Sequence, residues 1–521
     1  MRGLGALVGL GALAACGTHT DYVVVKVFAR AAVQGAQTIA VTLGNAGTTR
    51  TDNLMMDGRG FPVTFSISAP GRTGELTIAV DAVDDNQLVV GRGTATTTVD
   101  ADTANVLLDS MDFVVNTDYA GDQFPSSDFE AAGFQLAALP DGSWTTAFRD
   151  NCPTSACSLF ARRFDLGGKP VATQAAAGTN AFAITARPTT LASTPAIASS
   201  QTATIAAWDY FDTGSATTSG VACRAINSAG ALGTDQVAIT TDPMESADVV
   251  AAAAMAGGNF VVTWKTITST GIDAIRMATV NPDCSLIGAV QTVSTGITSD
   301  VIHRGSVATD ANHVLFAWIT NGDLHTRLAS ATGVLSAAEV TLVPHTATEQ
   351  VEHARVVAVP GGGFAIAVRW TVKNSSTGTS HIDLFRVSDT GALVGMPVLV
   401  TDQSGNDFDS SESFGIASRS DATKTPADDT VLVVWHTCGG LGDDSMCGVF
   451  GRLMRHDPVS DRFAAVGDRF VIPTTTAGDQ RLPSVVGLPD SYVAVWSDAS
   501  AANPDKAGLA VRARIVYPPG S

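Results

Sequence analysis

Five oxygen-bearing side chains crowd one short stretch of the chain: Asp402, Asn406, Asp407, Asp409 and Glu412. That donor set suits calcium, which takes oxygen ligands. The spacing departs from the regular Asp-x-Asp-x-Asp-Gly loop, so the segment also reads as a solvated acidic loop. Asp407 and Asp409 could serve as the paired carboxylates of a glycan hydrolase or lyase. His303, His313, His325, His345, His353 and His381 follow one another at spacings that match no zinc motif. The chain has no Gly-x-Ser-x-Gly elbow, no His-Glu-x-x-His, no phosphate-cradling glycine loop and no Ser-x-Asp-x-Gly-x-x-Trp box. No motif therefore names a reaction or a substrate.

The first residues carry the clearest chemistry. The chain begins Met1-Arg2, runs uncharged from Gly3 to Ala15, and reaches Leu13-Ala14-Ala15-Cys16-Gly17. A basic start, a short apolar core and small residues before a cysteine form an export signal. The apolar stretch falls short of the roughly 20 residues that cross a bilayer as a helix. Leu13 to Gly17 resembles the lipobox of bacterial lipoproteins. The resemblance implies that residues 1–15 are a signal peptide, that cleavage precedes Cys16, and that lipid is attached to the sulfur and amine of Cys16. Gly17, where an aspartate would retain the protein in the inner membrane, implies the outer membrane, with the protein facing the periplasm or the cell surface. Residues 16–20 are then a lipidated tether.

Six cysteines remain after Cys16, an even number in an exported chain, which predicts disulfides. Cys152 lies close to Cys157, and Cys438 to Cys447, which leaves Cys223 with Cys284 by exclusion; sequence alone does not fix the connectivity. Charged residues are sparse at 16% and Gly numbers 50, a composition that favours strands and turns over helices. A net charge of −19 excludes nucleic acid as a partner, because phosphate binding rests on clustered Lys and Arg.

These residues must be positioned by an all-β scaffold. Over residues 21–111 short alternating runs predict a small immunoglobulin-like sandwich: Leu76, Ile78, Val80 and Ala82 share one face of a strand, and Asp84-Asp85-Asn86 turns the chain. From about residue 131 the chain repeats itself at intervals of roughly 50 to 70 residues, the mark of solenoids and propellers. Each repeat has a small-residue strand, a tight turn and an apolar strand ending at Phe148, Trp208, Trp264, Trp318, Val368, Trp435 or Trp496, with Trp144 and Trp370 on the same face in the two departures. These aromatics read as core. A third strand carries Arg162, Arg224, Arg276, Arg327, Arg386, Arg452 or Arg512, expected to stack on Trp or pair with a carboxylate between blades. A fourth strand completes each blade.

The seventh repeat stops after its third strand, near Val516-Tyr517. Ahead of the first repeat, Phe113-Val114-Val115-Asn116-Thr117 mirrors the fourth strand Phe470-Val471-Ile472-Pro473-Thr474. Residues 112–521 are therefore expected to form a seven-bladed β-propeller shut by the strand at 112–117. The repeats resemble those of large bacterial surface and secreted proteins, carried here by Leu139-Pro140-Asp141-Gly142 and Ala161-Arg162-Arg163-Phe164-Asp165. That resemblance implies a scaffold and no activity.

In a four-stranded blade the second-to-third connections and the links to the next blade share one face. Those loops are long at 151–158, 209–219, 371–380, 402–413 and 436–448, whereas the opposite turns are tight. Long loops on a rigid frame are where binding usually resides. The sequence thus predicts a membrane-anchored surface lipoprotein that binds a protein or glycan of the cell envelope through its long-loop face, with no cofactor except calcium on Asp402, Asn406, Asp407, Asp409 and Glu412. A glycan hydrolase or lyase and a structural envelope component are the alternatives.

Overall fold

The computed structural model describes residues 22–117, 123–124, 135–150, 158–176, 178–185, 195–212, 218–233, 237–240, 245–268, 273–294, 303–336, 338–373, 380–401, 413–419, 430–438, 447–457, 459–502 and 508–518. All regular elements among them are β-strands. The chain divides into two compact units, Met1–Ser110 and Met111–Ser521.

The first unit holds β1 (Tyr22–Ala29), β2 (Thr38–Asn45), β3 (Thr48–Met55), β4 (Val63–Ser68), β5 (Glu75–Val83), β6 (Val89–Thr98) and β7 (Thr103–Ser110). The alternation read on β5 is present: Leu76, Ile78, Val80 and Ala82 are buried and join Val23, Val25 and Val27 of β1 in one core. β2 and β3 meet in a two-residue turn at Ala46 and Gly47, both with positive φ, the conformation that matches the twist of a hairpin. Pairing does not give two separate sheets, as the predicted sandwich would have. It runs as one path of seven strands in the order β3-β2-β5-β6-β7-β1-β4, curled into a half-barrel. The physical reason lies in β6, whose Gly91 and Arg92 pair with Ser110 and Asp109 of β7 and carry the ladder across. Gly93 permits the close approach, since a Cβ there would lie 2.2 Å from the Leu107 carbonyl oxygen.

The second unit contains seven sheets built on four-stranded, sequential ladders. Blade 4 shows the plan: His303–Thr309, His313–Thr320, Asp323–Ser330 and Val340–Val343 pair in that order, each antiparallel to the last. Trp144, Trp208, Trp264, Trp318, Trp435 and Trp496 are among the largest fully buried side chains, as expected of core residues. Separate apolar clusters join blade 1 to 2, 2 to 3, 3 to 4, 4 to 5, 5 to 6 and 6 to 7.

The last blade obtains its fourth strand from the start of the unit. β8 (Phe113–Val114) pairs antiparallel with the strand Ala510–Val516, placing Val114 opposite Arg512 and Phe113 opposite Ala513. The Val115 amide then donates to the Val511 carbonyl at 2.8 Å. From this strand Phe113 reaches blade 1, with ring centroids 6.4 Å from Trp144 and 5.9 Å from Phe164. The inner strands of blades 7 and 1, Gln480–Gly487 and Gln135–Ala138, pack together, so the seven blades form a closed ring.

Between β8 and its blade lies a buried ionic clasp. The Arg512 guanidinium meets Asp498 at 2.6 Å and Asp112 at 3.3 Å, and all three side chains are at most 3% exposed. Asp112 accepts further hydrogen bonds from the Thr474 and Thr475 amides and the Thr475 hydroxyl, so one carboxylate ties the closing strand to the end of blade 6. Asp498 also accepts from the Gln480 amide at 3.2 Å and from the Ser500 hydroxyl. The remaining guanidinium donor reaches the Ala502 carbonyl. Multiple donors on each carboxylate offset the cost of removing three charges from water.

The repeat arginines fall into three registers, one of them held by Arg386 alone, opposite Ala365. Arg162, Arg224, Arg327 and Arg452 each lie opposite the residue two before the terminal aromatic of the second strand. Each guanidinium donates to a backbone carbonyl just past the fourth strand of the preceding blade: Val115, Ile184, Val293 and Val400. In blade 7 this position belongs to Arg514, opposite Ala494, which donates to Ile472 at 2.8 Å. Arg276 and Arg512 instead lie directly opposite Trp264 and Trp496. The expected carboxylate partner between blades is realised for Arg386, which meets Asp461 of blade 6 at 3.0 Å, whereas the two carboxylates on Arg512 belong to its own blade and the strand that closes it.

At the corresponding staple position blade 3 has Ala278 and blade 5 has Phe385, opposite Val262 and Ile366. The blade 2–3 interface is instead closed covalently by the Cys223–Cys284 disulfide, with both residues fully buried. At the blade 4–5 interface Asp310 accepts from the Gly363 amide and Ser306 from the Val356 amide.

Two stability measurements check this arrangement. Asp112→Ala is expected to cost about 3 kcal/mol in urea unfolding, the lower end for breaking a buried ion pair because Asp498 remains. The Cys223→Ala/Cys284→Ala protein is expected to lose up to about 4 kcal/mol in the same measurement, for a loop of 61 residues.

Candidate functional face

The first strand of each blade starts, and the second ends, at the face that carries the long connections. The sites expected from sequence divide there. Asp402, Asn406, Asp407, Asp409 and Glu412, with Cys152, Cys157 and Cys16, lie outside the described residues. Cys438 and Cys447 form a disulfide between directly paired residues at the mouth of the blade 6 loop, with Cα atoms 3.9 Å apart. Cys223–Cys284 is a buried link between blades, away from any candidate site.

The histidines do not converge. His325 stacks on Trp318 at 5.9 Å and lies 3.0 Å from Glu339. His345 meets Asp323 at 2.7 Å. His313 sits near Asp310 at the opposite, tight-turn face, and His353 is buried in the inner strand of blade 5; of His303 only the strand is described. Among the described residues no group of three His, Cys, Asp or Glu side chains is arranged to hold a metal ion.

Among the described residues, blade 5 carries a polar cluster on this face. His381 stacks on Trp370, its cross-strand partner, with centroids 6.2 Å apart. Its Nε2 lies 3.5 Å from Asp383 and its Nδ1 3.8 Å from Glu349. Burial opposes a charge on this ring, but the hydrogen bond and charge of Asp383, with the charge of Glu349, outweigh it and hold the His381 pKa above 6.5. Beside it, Arg369 is 5% exposed in its side chain and pairs with Glu352 at 3.1 Å. Glu352 occupies a β-bulge between Val351 and His353, a device that re-aims a side chain at functional rims. One strand further inward, Arg355 lies over the Phe414 ring at 5.8 Å; desolvation pulls its pKa to about 10, which leaves it charged at neutral pH.

The opposite face has a different chemistry. Burial opposes the charge of Asp141 and Asp461, yet the Ser143 hydroxyl with Arg163, and His456 with Arg386, hold both carboxyl groups below their ordinary range. Asp283 and Asp457 are lowered by the hydroxyl and amide donors of their own turns. All four sit in tight turns and are fixed as carboxylates.

No protein-family model and no curated protein matches this sequence. Among solved structures, the chain is similar to a Hadza microbial sialidase, at 8% identity over 93% of this chain and 90% of that one, with a TM-score of 0.45. It is similar to a protein of unknown function from Dyadobacter fermentans, at 10% identity over 78% and 98% with a TM-score of 0.42. It is also similar to an α-L-arabinofuranosidase from Fusarium graminearum, at 10% identity over 77% and 98% with a TM-score of 0.41. The strand pairing itself defines the class of the second unit, a seven-bladed β-propeller.

The His381 assignment has a direct check. In an NMR titration its midpoint is expected above 6.5, and Asp383→Asn should bring it down. Because the folded pKa is raised, the stabilisation from this group is complete below the unfolded value near 6.5 and disappears as pH rises through the folded pKa.

Proposed function

We propose that this chain is an outer-membrane lipoprotein, anchored through acylated Cys16, which binds a protein or glycan of the cell envelope through the long-loop face of its propeller. The half-barrel, which we read as immunoglobulin-like in its alternating strands, follows the tether and precedes the propeller in the sequence. The observation that carries this reading is the state of the carboxylates. On the long-loop face Glu352 is held by Arg369, Asp383 by His381 and Asp323 by His345. A glycan hydrolase needs one carboxyl group kept protonated by a raised pKa. Among the described residues the carboxyl groups whose ionisation is shifted, Asp141, Asp283, Asp457 and Asp461, are all shifted the other way and lie in the opposite turns. Paired charges around a rigid, disulfide-bounded rim suit recognition, where preorganisation lowers the cost of ordering on binding.

Two experiments separate the parts of this proposal. Cys16→Ser is expected to abolish incorporation of labelled palmitate and to release the protein from the membrane fraction. The soluble ectodomain should retain an envelope component in pull-downs, with at least tenfold less retained by the Cys438→Ala/Cys447→Ala variant. Turnover of envelope glycan by the ectodomain, lost in Asp407→Asn, would instead establish the hydrolase or lyase.

A further inference from the structure

We propose that the open seam of the half-barrel is a second binding site, which takes one extended peptide segment as an added β-strand. This goes beyond recognition at the propeller face. In the order β3-β2-β5-β6-β7-β1-β4 the terminal strands are β3 and β4, and among the described residues β3 pairs with β2 alone and β4 with β1 alone. Side chains of both edges line a single cavity of about 590 Å³, floored by Val41, Leu76 and Val99 and walled by Leu54, Phe65 and Ile67.

The chemistry of two facing edges restricts the occupant. Each free edge offers backbone N–H and C=O groups in a regular row, a template for another strand. A polypeptide backbone can answer donors and acceptors on both sides at once, which a hydrocarbon chain cannot. Following the pairings, β3 and β4 run in opposite directions, because five of the six steps between them are antiparallel and one, β7 to β1, is parallel. A single added strand therefore runs antiparallel to one edge and parallel to the other.

Side chains set the sequence preference. Along β4, Phe65 and Ile67 turn inward while Thr64, Ser66 and Ser68 are exposed, so the occupant needs apolar residues at alternate positions. At the mouth Arg50 is paired with Asp52 at 2.9 Å. Arg72, also at the mouth, donates to the uncharged oxygens of Thr48 at 3.0 Å and Asn45 at 3.5 Å. Its positive charge complements a carboxylate near one end of the peptide.

The test uses the full chain and the peptide acetyl-Thr-Val-Thr-Val-Thr-Val-Asp, followed by hydrogen exchange and mass spectrometry. At saturating peptide, amides in residues 48–54 and 63–68 should exchange at least tenfold more slowly. Arg72→Glu, an exposed change that preserves the fold, should weaken this peptide at least fivefold but leave its Asn-amide counterpart unaffected. Phe65→Asp should remove protection, whereas Phe28→Ser on the exposed side of β1 should not. Unchanged exchange at saturating peptide overturns the proposal, as does protection of the seam by oleate and not by peptide, which would make the cavity a lipid site.

Discussion

The propeller depends on one interaction, the Arg512 guanidinium held between Asp112 and Asp498. A ring of blades has no natural end; without closure, the first and last sheets would expose apolar faces and an unpaired edge. The fourth strand of blade 7 is only the two residues Phe113–Val114, and so few ladder bonds fix little by themselves. The buried clasp adds what the short ladder lacks. Asp112 reaches the end of blade 6 through Thr474 and Thr475, Arg512 belongs to blade 7, and Phe113 packs on blade 1. Three blades thus meet around one donated segment.

The same logic distributes around the ring. Each staple arginine satisfies a carbonyl that emerges where a fourth strand has ended, in the form of a charge-assisted hydrogen bond worth about 1.5–3 kcal/mol. Where the staple is missing, a different device stands: the Cys223–Cys284 bond between blades 2 and 3, and side-chain acceptors for the Gly363 and Val356 amides between blades 4 and 5. The blades are locked pairwise, so the frame under the long loops is rigid. This is why polar groups such as Arg369 and His381 can be held partly desolvated at its surface.

Much of this was legible in the chain. The likeness of Phe113–Thr117 to Phe470–Thr474 is borne out to the level of single atoms: Val115 and Ile472 are both fully buried, and their carbonyls accept from Arg162 and Arg514. Counting one arginine per repeat misled in blade 7, because Arg512 and Arg514 share a strand and only the cross-strand register shows which one faces the preceding blade. β3 is not legible by periodicity, because an edge strand with five of its first six residues exposed carries no apolar stripe. The joining of β6 to β7 was hidden for another reason: it depends on a close backbone approach that glycine allows but does not dictate. The blade 5 cluster lay beyond periodicity altogether, since Glu349, Glu352, Arg369, His381 and Asp383 come from three strands and a bulge.

The central claim is that β8 belongs to blade 7 and completes the ring. Native-state hydrogen exchange at the Val115 amide tests it most directly, because that amide donates to Val511. Exchange as slow as that of the amides of Ala510–Val516 is the result this account predicts. Exchange as fast as that of an unstructured linker would contradict it.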